Sequence, residues 1–211
     1  MQKRSNFILF FILYSLTFVS TVFSKELLGT EQLVYNTLAE QLTTQQIQEV
    51  IRMNNVWGWV YYIVLPIILY LKILLIAIVL SIGTFFFIQK IKFSQLLNIV
   101  LKAEFIFLLP MVFNTAWFYF FKKEYTLEEL QNYMPLSLES LFGYENFERW
   151  YIYPLQTANL FEVAYWIVLT LLLAKALQVN KQKSFTIVAS SYGVGLIIWV
   201  AAIMFLTLNM S

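Results

Sequence analysis

The chain has 211 residues, of which 60% are apolar and 12% charged; an average soluble domain is roughly 45–50% apolar and about 25% charged. That much apolar surface cannot be hidden inside a soluble particle of this size, so the composition excludes a soluble fold. The net charge of +2 makes no case for nucleic acid. The chain lacks His, Cys and Asp, which removes thiol chemistry, disulfides, Ser-His-Asp and Cys-His catalysis and the usual zinc sites. No cofactor or metal is expected, and acid chemistry would fall to Glu alone.

A helix crossing about 30 Å of hydrocarbon needs roughly 20 mostly apolar residues. Five such runs predict an all-α polytopic bundle forming one integral membrane domain over 1–211, with spans near 6–24, 66–88, 102–121, 159–178 and 185–208. The first run follows Lys3 and Arg4 and ends on Val22-Phe23-Ser24, which also suits a cleaved signal peptide. Its apolar stretch outruns the roughly 7–15 residues of a signal core, which favours a retained helix. Residues 25–56 read as two helical pieces, the first striped by Val34, Leu38 and Leu42, the second by Ile47, Val50 and Ile51. A capping box of Thr43 with Gln46 predicts the break between them. Trp57, Trp59, Tyr61 and Tyr62 then form an interfacial belt, with Pro66 opening the second span.

A short basic link separates the second span from the third. Beyond the third, residues 122–158 predict a small folded cap. Thr126 and Glu129 fit a capping box, Pro135 stops that helix, and Ser137 to Gly143 reads as another short one. Arg149, Trp150, Tyr151 and Tyr153 mark a return to the interface. The links alternate in sign. Lys3, Arg4, Lys90, Lys92, Lys181 and Lys183 stand without acids, whereas 25–56 carries four Glu and 122–158 carries six. The positive-inside bias puts the N-terminus in the cytoplasm and the C-terminus outside.

An ionisable residue within a span is a functional candidate. Helix rise places Lys72 about 27 Å from Lys90 and Glu162 about 28 Å from Lys181, both near the outer boundary. Glu104 lies about 27 Å from Lys122, near the inner one. All three read first as interface anchors. Lys72 and Glu162, opposite in sign and alike in depth, form a candidate intramembrane pair between the second and fourth spans. No carboxylate falls at mid-membrane, which counts against a proton-coupled transporter. Asn114, between Pro110 and Thr115, predicts an interhelical polar contact. In the last span Ala189/Gly193 and Ser191/Gly195 have the small-xxx-small spacing that lets helices approach closely.

Residues 155–178, LQTANLFEVAYWIVLTLLLAKALQ, resemble the bacterial branch of the Yip family through Asn159, Phe161 and Trp166 ahead of a Leu-rich helix. A brief basic turn and a final apolar helix follow, as in that family, and the resemblance extends over roughly 55–208. It implies five spans, a cytoplasmic N-terminus and an outward C-terminus. Eukaryotic members are associated with membrane traffic and small GTPases, but no residue here carries GTPase binding over.

The leading expectation is a non-enzymatic, multi-pass protein of a bacterial inner membrane. It would bind an envelope protein through the external segments, or organise a membrane complex. The alternative is a small permease or a subunit of a transport or secretion complex. An intramembrane enzyme ranks below both, since Ser190 and Ser191 have no Lys at matching depth.

Overall fold

The computed structural model describes residues 2–39, 42–143, 145 and 147–210. Its helices are α1 (Gln2–Leu27), α2 (Thr30–Ala39), α3 (Thr44–Phe86), α4 (Phe93–Glu104), α5 (Leu108–Phe120), α6 (Leu127–Asn132), α7 (Leu138–Phe142), α8 (Arg149–Thr157), α9 (Leu160–Leu177), α10 (Lys181–Val188) and α11 (Val194–Met210). A 3-10 turn, Phe105–Phe107, joins α4 to α5, and a π-helical turn, Ala189–Gly193, joins α10 to α11. Among the described residues, five helical stretches are long and apolar enough to cross a membrane: Lys3–Leu27, Val56–Phe86, Phe93–Phe120, Leu160–Leu177 and Lys181–Asn209. The chain is therefore an all-helical protein of membrane character.

Two boundaries differ from those predicted. The second span does not open at Pro66, because α3 runs unbroken for 43 residues with Pro66 inside it. Proline cannot donate to the carbonyl four residues back, which is that of Tyr62. The Tyr14 hydroxyl donates to the Tyr62 carbonyl at 3.2 Å, so α1 supplies the hydrogen bond that proline withholds. The predicted break at Thr43 is present: α3 starts there, with Gln46 Oε1 accepting from the Thr43 backbone N–H at 3.0 Å. The join at residues 40–41 lies outside the described residues.

The third span begins at Phe93, not near 102. Helix α4 is amphipathic, with Leu96, Ile99, Val100, Ala103 and Glu104 buried on one face and Lys102 exposed on another. Lys102 predicts an inner end at that position, but it occupies an exposed face of a helix that begins nine residues earlier. Pro110 leaves the Ile106 carbonyl without its α-helical donor, and there the backbone tightens into the 3-10 turn.

Helix α4 sits at the centre, packed against α1, α3 and α9. The core gathers Leu13, Ala77, Leu80, Leu96, Val100, Leu169, Leu173 and Ile187 from all five spans. Polar contacts pin α1 into it. Asn6 Nδ2 donates to the Ser94 carbonyl at 2.9 Å, Asn98 Nδ2 donates to Asn6 Oδ1 at 2.8 Å, and the Thr115 hydroxyl donates to Ser24 Oγ at 2.9 Å. Large apolar side chains such as Phe7, Phe11, Ile67, Ile68 and Ile197 point outward, as the lipid-facing surface of a bundle requires.

Between α5 and α9 the described residues form three short helices, α6, α7 and α8. The Thr126 hydroxyl accepts from the Glu129 N–H at 3.1 Å and Glu129 Oε2 accepts from the Thr126 N–H at 3.0 Å, the capping box read from the sequence. Helix α7 ends on Gly143 at φ +76°, a conformation that favours glycine. Ser137 and Asn159 form an antiparallel bridge, with Leu138 N–H on the Ala158 carbonyl at 3.0 Å and Leu160 N–H on the Leu136 carbonyl at 3.1 Å. That bridge ties the start of α7 to the start of α9.

Candidate functional site: a charge cluster inside the bundle

The site is assembled from one to three residues on each of four segments. Helix α3 contributes Lys72, α4 contributes Glu104, α9 contributes Glu162, Tyr165 and Trp166, and the π turn contributes Tyr192. Counted from the ends that carry the basic links, Lys72 is about 21 Å from Phe86, Glu104 about 16 Å from Phe93, Glu162 about 22 Å from Leu177 and Tyr192 about 16 Å from Lys181. With about 30 Å of hydrocarbon to cross, the cluster lies in the middle of the spans and just beyond.

Lys72 Nζ donates to Glu104 Oε2 at 2.9 Å. Glu104 is 2% exposed, whereas the Lys72 side chain is 44% exposed. The lysine ammonium also lies 4.0 Å from the centre of the Phe107 ring, which carries negative charge on its face. Among the described residues Glu104 Oε1 has no hydrogen-bond partner, and neither does the hydroxyl of Tyr165, which is fully buried. These two groups are neighbours that do not meet in hydrogen-bonding geometry. Glu162 is held otherwise: Oε1 accepts from Trp166 Nε1 at 2.9 Å and from the Tyr192 hydroxyl at 2.7 Å. Aromatic contacts close the cluster, with Phe107 to Tyr165 at 4.9 Å, Tyr165 to Tyr192 at 5.3 Å and Trp166 to Tyr192 at 5.8 Å between ring centres.

The direct partner of Lys72 is therefore Glu104, and Glu162 bonds to neutral donors. The depth assigned to Glu104 also has to be corrected. Measured from Lys122 it seemed to sit at the inner boundary, but a span that starts at Phe93 carries it into the bundle beside Lys72. The signal was in the sequence: Leu96, Ile99, Val100 and Ala103 form an apolar stripe that Glu104 continues, so its carboxylate had to face the core. Glu104 therefore lies near the middle of the Phe93–Phe120 helical stretch rather than at its end. One ammonium and two carboxylates meet here, so the cluster holds an excess of acid when both glutamates are ionised.

The packing candidates take distinct places. Ser191 donates its hydroxyl to the Ile187 carbonyl at 2.6 Å and faces Gly83, where an added Cβ would come within 2.5 Å of Ser191 Cβ. Gly193 lies under the Trp166 ring, leaving no room for a side chain, while Gly195 has ordinary clearance from Val79. The spacing around them is not α-helical, because residues 189–193 form the π turn, and bulges of this kind are frequent at functional sites. Asn114 donates to the Tyr133 carbonyl at 3.4 Å, in the segment after α6 rather than in a neighbouring span. Its Oδ1 is buried and has no partner among the described residues.

A second polar group lies outside the spans. Lys122 Nζ donates to Glu129 Oε1 at 2.7 Å, and that hydrogen bond holds the Glu129 carboxyl below its ordinary range. Glu139 is buried, and burial pushes its carboxyl up, against hydrogen bonds from the Met134 N–H at 3.0 Å and the Ser137 hydroxyl at 3.5 Å. Burial likewise raises the nearby Tyr133.

The residues that carry the Yip resemblance all have work in this region. Asn159 caps α9 by accepting from the Glu162 N–H at 2.8 Å, Phe161 is buried near Phe113, and Trp166 bonds to Glu162. No family model matches the chain, and no curated protein or solved structure matches it either.

Proposed function

We propose that the chain is a non-enzymatic, multi-pass protein of a bacterial cytoplasmic membrane, Yip-like in its span arrangement, that binds a protein partner and organises a membrane complex. Its N-terminus is cytoplasmic and its C-terminus outside, which leaves α2, the start of α3 and the helices α6 to α8 on the outer face. The polar contacts of Asn6, Tyr14 and Ser24 support a first span that is retained in the bundle.

One observation carries the partner reading. Helix α3 is about 64 Å long at 1.5 Å per residue, twice the hydrocarbon thickness. The stretch from Thr44 to Asn55 therefore stands beyond the span as a stiff helical arm. On it Val50 and Met53, three apart on one face, are 40% and 55% exposed, and Trp57, 61% exposed, continues the stripe into the mouth of the span. Such a stripe is what an apolar groove or a second helix on a partner would cover. The test is purification from mild detergent, comparing the native chain with a Val50→Glu/Met53→Glu variant. The native chain is expected to carry an enriched envelope protein that the variant loses. A native chain that runs alone, with no enriched partner, contradicts the proposal.

A second reading, a small permease or a transport-complex subunit, is favoured by Glu104, a mid-span carboxylate with one oxygen unpaired among the described residues. Flux into liposomes that Glu104→Gln abolishes would support it, and silence for every ion and small solute tested would contradict it.

A further inference from the structure

The last span is bent away from its neighbour. Helix α10 packs along α9, but after the π turn α11 leans on α8 instead, where Trp199 Nε1 donates to the Tyr153 hydroxyl at 2.8 Å. The divergence opens a groove of about 1020 Å³ between α9 and α11, roofed by α7 and α8. Val163 and Ile167 form one wall and Ile197, Val200 and Ala201 the other, with Trp166 on the floor. Both walls belong to stretches that cross the membrane, so the groove faces the hydrocarbon and its occupant comes from the bilayer.

Among the described residues, one charged side chain lines this groove, and it is Glu162. Both of its donors, Trp166 and Tyr192, bind Oε1, and Oε2 receives neither. Trp166 and Phe185 present aromatic rings in the same lining. An apolar slot with aromatic walls and one carboxylate has a definite complement: an apolar body carrying a single positive charge, whose approach also favours the ionised carboxylate. A phospholipid suits it less well, since its phosphate would bring a negative charge toward Glu162. The arm of α3 takes no part in this groove, so the inference stands or falls separately from the partner reading.

We propose that the α9–α11 groove binds a lipophilic cation taken from the bilayer, with the apolar body between Ile167 and Ile197 and the charge against Glu162. The probe is tetraphenylphosphonium, and the control is tetraphenylborate, which has the same shape and the opposite charge. Equilibrium binding to the full-length protein in detergent, with empty micelles subtracted, is expected to show one saturable phosphonium site per chain and no borate site. Glu162→Gln should weaken phosphonium binding by about tenfold or more. Ala201→Trp, which fills the groove from the wall opposite Glu162, should weaken it comparably, and it decides the matter if Glu162→Gln does not fold. The proposal is overturned by no saturable phosphonium binding, by borate binding as tightly as phosphonium, or by unchanged phosphonium affinity in either folded variant.

Discussion

Removing Lys72 leaves Glu104 as a buried charge with no counter-ion, and the structure sets the size and asymmetry of the effect. Glu104 is 2% exposed, and when the ammonium 2.9 Å away is lost the neighbouring donor left to it is the neutral Tyr165 hydroxyl, which cannot balance its charge. Breaking a buried pair from one side costs about 3–5 kcal/mol, and Lys72→Met should fall in that range. Glu104→Leu leaves a lysine whose side chain is 44% exposed and which keeps its place over the Phe107 ring. Its stem can also reach along the span toward water, so this loss should be nearer about 1–2 kcal/mol. The double variant replaces both charges by apolar groups of similar length and should come within about 1 kcal/mol of the native protein. The interaction energy in the cycle is then about 3 kcal/mol or more. Reversible unfolding in mixed micelles, followed by tryptophan fluorescence, measures all four corners. Additive single losses, or a larger loss in Glu104→Leu than in Lys72→Met, would refute the reasoning.

Three further outcomes are expected. Gly193→Ala puts a methyl group into the Trp166 ring; the ring must move, its bond to Glu162 loosens, and unfolding in micelles should show a loss of about 1–3 kcal/mol. Glu139 has a folded-state carboxyl raised above its unfolded value, so its contribution is fully present below the unfolded pKa and is lost as pH rises through the folded one. Glu139→Gln should therefore flatten that part of the pH dependence, read by hydrogen exchange of the 127–142 amides, and no change in the profile would count against the burial argument. The native chain contains no cysteine, so single cysteines report sidedness without interference. In intact cells a membrane-impermeant maleimide should label Glu124→Cys and miss Lys90→Cys until the membrane is opened, and the reverse pattern would invert the topology.

Five spans were legible because uninterrupted apolar runs of this length have few alternatives, and α6 and α7 were legible because Thr126, Glu129, Ser137 and Gly143 act locally; α8, with Pro154 inside it, was read only as a return to the interface. The errors arose where local pattern met tertiary context. Pro66 reads as a helix start in isolation, and only the Tyr14 hydroxyl, 52 residues earlier in the chain, makes it tolerable inside α3. The third span was cut short because charge was taken as a boundary, although Lys102 and Glu104 point to different sides of one amphipathic helix. Depth arithmetic brought Lys72 and Glu162 to the same level, but rise along a helix says nothing about azimuth, and azimuth gives Lys72 to Glu104. The π turn had no sequence signal beyond a run of small residues, and it is what swings α11 away from α9 and opens the groove.

The partner-binding reading rests on the arm of α3, and photo-crosslinking from Met53 in intact cells tests it most directly. With a photoreactive amino acid at Met53, the chain should form a discrete protein adduct, sharply reduced when Val50 and Trp57 are changed to Glu. Adducts to lipid alone, or a protein adduct indifferent to those two residues, would contradict it.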